Sequence, residues 1–202
     1  MKRLKANRKF LIILFVLVLA AIFRITAVNL YALNEKHELY TMDEWVSLDG
    51  DFVSSASEST NGYYICVTNA RVFSYEEYMK ECGVPEDQLP TDIRSPVIEL
   101  EVKIRNQGNT DGFLSLGWFS LLNENKTIYN YYKDAYAALK NLLLDGASGI
   151  TIKPDTEMTI YLPFTMQYGA ENLSILDEKS QTNVYYFTVS RYPTRKEIKV
   201  LI

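Results

Sequence analysis

Four carboxylates fall within nine residues of this chain, at Asp43, Glu44, Asp49 and Asp51. Such oxygens suit calcium, and a carboxylate pair such as Glu44 with Asp49 is the machinery of glycoside hydrolysis. The spacing departs from an EF-hand loop, and Asp49-Gly50 is a common turn dipeptide. The cluster is therefore read as a turn. His37 is the only histidine and precedes the folded part, so His-based acid–base chemistry and a multi-His metal site are not expected in the domain. Two cysteines are too few for a Cys-rich zinc site. The chain has no G-x-S-x-G, P-loop or dinucleotide fingerprint. The reading is a protein that is not an enzyme, with no catalytic residue, cofactor or metal.

Two other sets of side chains stand out. Cys66 and Cys82 are candidates for one disulfide, permitted outside the cell. It would close a loop of about 15 residues, worth ~3 kcal/mol in the chain-entropy model. The alternative is two buried thiols. Tyr129, Tyr131, Tyr132 and Tyr136 crowd the stretch YNYYKDAY. Tyrosine gives rigid contact area at low entropic cost, so these four are candidate partner-binding residues. Packing on a half-buried β surface is the competing reading.

The N-terminus decides where such a domain is held. Residues 1–9 carry five positive charges and no acid, and residues 10–23 are unbroken apolar sequence. Residues 10–33 are long enough to span a bilayer, which takes about 20 apolar residues. They include Arg24, able to snorkel outward. A cleaved signal needs a small-x-small site, and Ile25 spoils the best one, before Val28. An uncleaved signal anchor and a cleaved signal are both carried forward. The basic flank places the N-terminus in the cytoplasm and the C-terminal domain outside.

Beyond residue 33 lie all 25 acids but only 15 of the 21 bases, a formal charge of −10. An acidic surface argues against nucleic acid as a ligand. The partners expected are the membrane, through the N-terminal helix, and an unknown protein or peptide.

The elements that position these residues are mostly strands. In residues 96–106, Ile98, Leu100, Val102 and Ile104 take one face, and Glu99, Glu101, Lys103 and Arg105 the other. This period of two marks a half-buried antiparallel strand. Its apolar face is expected to pack with Met158, Ile160, Leu162 and Phe164 of residues 155–166, leaving Glu99 and Lys103 wet. Further strands are expected over 63–73, 113–122, 184–190 and 197–202, the last two separated by a turn at Pro193. Ser74 and Glu77 form a capping box that opens a helix with Tyr75, Tyr78, Met79 and Cys82 on its inner face. A second helix is expected over about 133–144. The sequence divides into a cytoplasmic flank (1–9), a signal anchor or transmembrane helix (10–33), a stalk (34–43) and an extracytoplasmic domain (44–202). The fold expected is mainly β, an immunoglobulin-like antiparallel β-sandwich with two short inserted helices.

Segments 43–52 (DEWVSLDGDF), 62–65 (GYYI), 74–80 (SYEEYMK), 101–109 (EVKIRNQGN), 162–164 (LPF) and 190–196 (SRYPTRK) complete the pattern. In that order the chain resembles an uncharacterised family of exported, membrane-anchored proteins of Gram-positive Firmicutes. The resemblance implies a fold and a location and brings no catalytic residue. It makes the glycosylation sequons at Asn125 and Asn172 irrelevant and weakens the disulfide. The function expected is a membrane-anchored extracytoplasmic binding or accessory module, serving a transporter or envelope complex. An exported hydrolase using carboxylates and a purely structural spacer are the alternatives.

Overall fold

Apolar sequence without a breaker makes the first element. In the computed structural model Lys2–Leu33 form helix α1. Phe10–Asn29 within it has a mean hydropathy of 2.9 over 20 residues, long and apolar enough to cross a membrane. At 1.5 Å per residue that is about 30 Å, the thickness of a bilayer core. Thr26 donates its hydroxyl to the Ile22 carbonyl at 2.9 Å, so this polar group is satisfied inside the helix. The structure describes residues 2–33, 36–85, 87, 96–124, 128–131, 149–165 and 183–202. Helix α1 and the unit His37–Ile202 are separate bodies.

The second body is built of strands β1 (Lys36–Thr41), β2 (Val46–Ser47), β3 (Tyr63–Phe73), β4 (Val97–Asn106), β5 (Ser120–Asn123), β6 (Ile128–Tyr131), β7 (Thr156–Thr165), β8 (Val184–Ser190) and β9 (Thr194–Leu201). Helix α2 (Tyr75–Glu81) lies between β3 and β4. Hydrogen bonding runs through the order β1-β9-β8-β5-β6-β7-β4-β3-β2. Number the strands from β3, and one face is first-second-fifth-fourth (β3-β4-β7-β6) while the other is third-sixth-seventh (β5-β8-β9). That is the immunoglobulin order. The short β5–β6 hairpin joins the two faces, with Leu121 opposite Tyr129. β2 extends one outer edge and β1 the other. The domain is an antiparallel β-sandwich.

The core follows from alternation. Ile98, Leu100, Val102 and Ile104 stand opposite Phe164, Leu162, Ile160 and Met158, the pairs expected from the sequence. All but Met158, which is partly buried and packs against it, share one buried cluster with Ile65 and Val67 of β3, Phe187 and Val189 of β8, and Ile198 and Val200 of β9. Phe187 meets Phe164 edge-on at 5.7 Å and Phe119 at 5.2 Å. These aromatic contacts hold the two faces together.

Four expectations change. The stalk of residues 34–43 is replaced over 36–41 by β1, which pairs with β9; residues 34 and 35 lie outside the description. Residues 113–122 do not form one strand. Leu114 makes an isolated bridge to Ile150, Leu116–Trp118 turn into a 3-10 helix at Gly117, and only Ser120–Asn123 are strand. The last strand starts earlier, at Thr194, after a cis Tyr192–Pro193 bond. Glu99 is buried, not wet, at 1% exposure. Helix α2 explains that burial, because it folds back over the outer face of β3 and β4. Its Tyr75, Tyr78, Met79 and Cys82 cluster with Val97 and Phe73 there. The helix expected over 133–144 lies outside the described residues.

Candidate functional site

The carboxylate cluster of the sequence is a turn with a buried lysine at its centre. Asp49 and Gly50 both have positive φ, 53° and 87°, and the Asp51 amide donates to the Leu48 carbonyl at 2.7 Å. Two positive φ values at the central positions mark a type I′ turn, which suits Asp-Gly. The turn holds two carbonyls and two carboxylates around one point. Lys196 Nζ fills it, 2.7 Å from Ser47 O, 3.3 Å from Leu48 O, 3.2 Å from Asp49 Oδ2 and 2.9 Å from Asp51 Oδ2. Lys196 shares strand parity with the core residues Ile198 and Val200. It is therefore a lysine on the inward face of β9, and its side chain is 3% exposed.

Asp51 is equally fixed. Its side chain is 7% exposed, its Oδ1 accepts the Thr194 amide at 3.2 Å, and its carbonyl accepts the Thr60 hydroxyl at 2.6 Å. Asp49 sits at the rim, 70% exposed, and also accepts the Ser47 hydroxyl at 2.5 Å. Tyr40 of β1 donates to Glu38 at 2.8 Å. Burial, and then that acceptor, push its phenol up to about 12, helped by the charges of Asp49 and Asp51.

Beside this site β9 holds β1. His37 Nε2 lies 2.9 Å from Glu197 Oε2, and Glu197 Oε1 takes Arg195 Nη2 at 2.5 Å and the Thr188 hydroxyl at 3.2 Å. His37 is thus a partner within the domain and not the solvated linker residue expected. Glu44 accepts the Thr41 amide at 2.9 Å, so Glu44 and Asp49 are committed to separate turns. Among the described residues no cluster of His, Cys, Asp and Glu is able to hold a metal.

The other sequence candidates fare differently. Cys66 and Cys82 are buried thiols, and no disulfide joins them. The reason is distance along the sheet. Cys66 stands opposite Lys103, whereas α2 packs near the Phe73–Val97 pair at the far end of β3. Seven residues of strand separate Cys66 from Phe73, about 20 Å at the usual rise. Burial pushes the Cys66 thiol up. Tyr129 and Tyr131 lie in β6, in register with Leu121 and Phe164. Tyr132 and Tyr136 fall outside the described residues.

A family model described as a domain of unknown function (DUF5028) matches residues 37–196. The chain belongs to that family. The match starts at His37, where the compact second unit begins, so β1 is part of the DUF5028 domain and not a leader to it. It runs on through the Lys196 that closes the site. No curated protein matches the chain. Among solved structures it is similar to MPT63, a secreted protein from Mycobacterium tuberculosis. The TM-score is 0.42 at 9% identity, over 82% of this chain and 97% of that one.

The residues that sequence reading missed are Lys196, Arg195, Glu197 and Tyr40. One signal was available: a lysine two residues before Ile198 on an alternating strand is a charge on a core face.

Proposed function

We propose that this DUF5028 chain is a membrane-anchored, extracytoplasmic binding or accessory module without enzymatic activity, serving a transporter or cell-envelope complex. Helix α1 is its anchor in this reading, and the basic flank of residues 1–9 keeps the N-terminus in the cytoplasm. The domain then faces outward into a Gram-positive envelope, where its net acidity keeps it soluble.

One observation carries the non-enzymatic reading. Lys196, Glu197, Glu99 and Glu58 are buried, and each closes on partners inside the fold. Lys196 ties the 48–51 turn, Glu197 ties His37 and Arg195, and Glu99 ties Arg71. Glu58 accepts the Ser54 and Ser55 amides that open a 3-10 turn. A catalytic pair is aimed at a cleft and left available to a substrate; these are spent on loops and strand edges. The partner face in this reading is the Tyr129, Tyr131, Tyr132 and Tyr136 segment.

Three experiments test it. An impermeant protease applied to intact cells should remove the domain and leave α1 in the membrane fraction. A mature chain beginning near Val28 would reject the anchor. Photo-crosslinking residues placed one at a time at the four tyrosines should give one defined adduct, which the same probe at exposed Val72 should not give. Adducts equal at both places, or none, would reject this face. Turnover of a glycoside that is lost in Glu44→Gln or Asp49→Asn would favour the hydrolase.

A further inference from the structure

We propose that Lys196 and Asp51 form an intramolecular amide, a covalent cross-link between β9 and the turn that leads into the sandwich. The amine is 2.9 Å from Asp51 Oδ2, and both side chains are buried, at 3% and 7% exposure. Burying an ammonium and a carboxylate together is costly in solvation. A neutral amide in the same place removes both charges.

The surrounding groups match what the condensation needs. Attack by Nζ on Asp51 Cγ puts negative charge on Oδ1, and the Thr194 amide already donates to Oδ1 at 3.2 Å. Donors aimed at a developing oxyanion are the strongest aid to acyl transfer. The ammonium must first pass one proton to Asp51 Oδ2, 2.9 Å away, so that a neutral amine faces a neutral carboxylic acid, and it loses a second proton as the bond forms. Asp49 Oδ2 lies 3.2 Å from Nζ, on the open rim of the site, and serves as the base. The leaving oxygen is Oδ2, the atom that faces Nζ. The step balances without an added reagent. The Nζ–Cγ bond forms and the Cγ–Oδ2 bond breaks. Two of the three ammonium protons depart with Oδ2 as water, one of them carried by Asp49. The third stays on the amide and donates to Ser47 O, now 2.7 Å from Nζ. Positioning is supplied by the fold. The Asp49-Gly50 turn sets both carboxylates, and the Thr60 hydroxyl pins the Asp51 carbonyl at 2.6 Å. Holding reactants in contact replaces an encounter with an internal step.

The consequence is mechanical. The link closes the chain from residue 51 to residue 196 and ties the start of the domain to its last strand. Tension applied through the N-terminal end then peels β1 and β2 at most, and meets a covalent bond before it reaches β3 and the strands that follow.

Peptide mapping of the full-length protein, purified in detergent, is the test. A branched peptide joining the 49–51 segment to the 195–196 segment, lighter than the two free peptides by one water, is expected. Proteolysis after Lys196 should be blocked. Lys196→Arg keeps the cation and should abolish the branched peptide, and Asp49→Asn should lower its yield at least tenfold at equal incubation. Wild-type protein that yields only the two unlinked peptides, even after days at its growth temperature, overturns the proposal and leaves an ion pair. That result needs no variant to fold.

Discussion

Arg71 and Glu99 face each other across β3 and β4, with Nη2 2.6 Å from Oε1, although Arg71 is 42% exposed and Glu99 only 1%. A surface arginine thus holds a carboxylate that α2 helps to cover. Glu99 in turn raises the Arg71 pKa by hydrogen bonding. The same guanidinium reaches Glu81 at 3.4 Å and lies over Phe73 at 5.0 Å. Arg71→Ala should cost about 1–3 kcal/mol, less than the loss of a fully buried partner because water reaches the arginine side. Urea unfolding of the variant measures it, and a cost below that of an ordinary surface change would mean that the pair is idle.

The core pairing of β4 with β7 gives a second expectation. Leu100 is fully buried opposite Leu162, so Leu100→Ala should lower stability by about 2–5 kcal/mol. Lys103, half-buried on the outer face, should tolerate Gln within about 0.5 kcal/mol. Denaturation midpoints of the two variants provide the comparison.

Helix α2 depends on its cap. The Ser74 hydroxyl accepts the Glu77 amide at 3.2 Å, and Glu77 accepts the Ser74 amide at 2.8 Å. For a seven-residue helix this is a large share of its support, and Ser74→Ala should cost about 1 kcal/mol. Because α2 ends at buried Cys82, its fraying should expose that thiol first. Alkylation kinetics of the native protein should show two slow thiols, with only Cys82 accelerated in the variant. A single rapid thiol in the wild type would contradict the packing.

Alkali should loosen the site beside β1. Tyr40 is raised from 10.0 to about 12, so the fold favours its neutral phenol. Its stabilising contribution is fully present below pH 10 and is lost as pH rises toward 12. Tyr63, also raised by burial, adds to the loss. Tyr40→Phe should flatten part of the stability decline in that window, read from unfolding midpoints at successive pH values. An unchanged slope would show that Tyr40 ionises freely.

A tight approach of backbones supplies the last expectation. A Cβ on Gly112 would stand 2.2 Å from the Ser59 carbonyl oxygen, a contact that neither backbone relieves cheaply. Asn109 fastens the same spot, donating to Ser59 O at 2.6 Å and accepting the Gly112 amide at 2.6 Å. Gly112→Ala should cost about 1–3 kcal/mol, as overpacking does. Thermal melts of Gly112→Ala beside Gly108→Ala, where space is open but φ is 74°, separate collision from backbone strain.

Local chemistry determined a good deal of this protein. Unbroken apolar residues made α1, the alternation of 97–106 and 156–165 fixed which faces pack, and Ser74 with Glu77 opened α2 where expected. Each of these signals is carried by side chains within a few residues of one another. The tertiary structure alone decided what depends on distant segments. Residues 36–41 look like a linker because a strand six residues long declares itself only when β9 is there to pair with it. Glu99 reads as a wet residue until α2 folds over its face and Arg71 arrives from β3. Cys66 and Cys82 sit close in sequence, and the length of β3 keeps them apart. Lys196 and Asp51 are the extreme case. Nothing in the chain between them predicts that a turn of two positive-φ residues and the final strand meet at one buried point, because burial of that pair exists only once the two faces of the sandwich have closed.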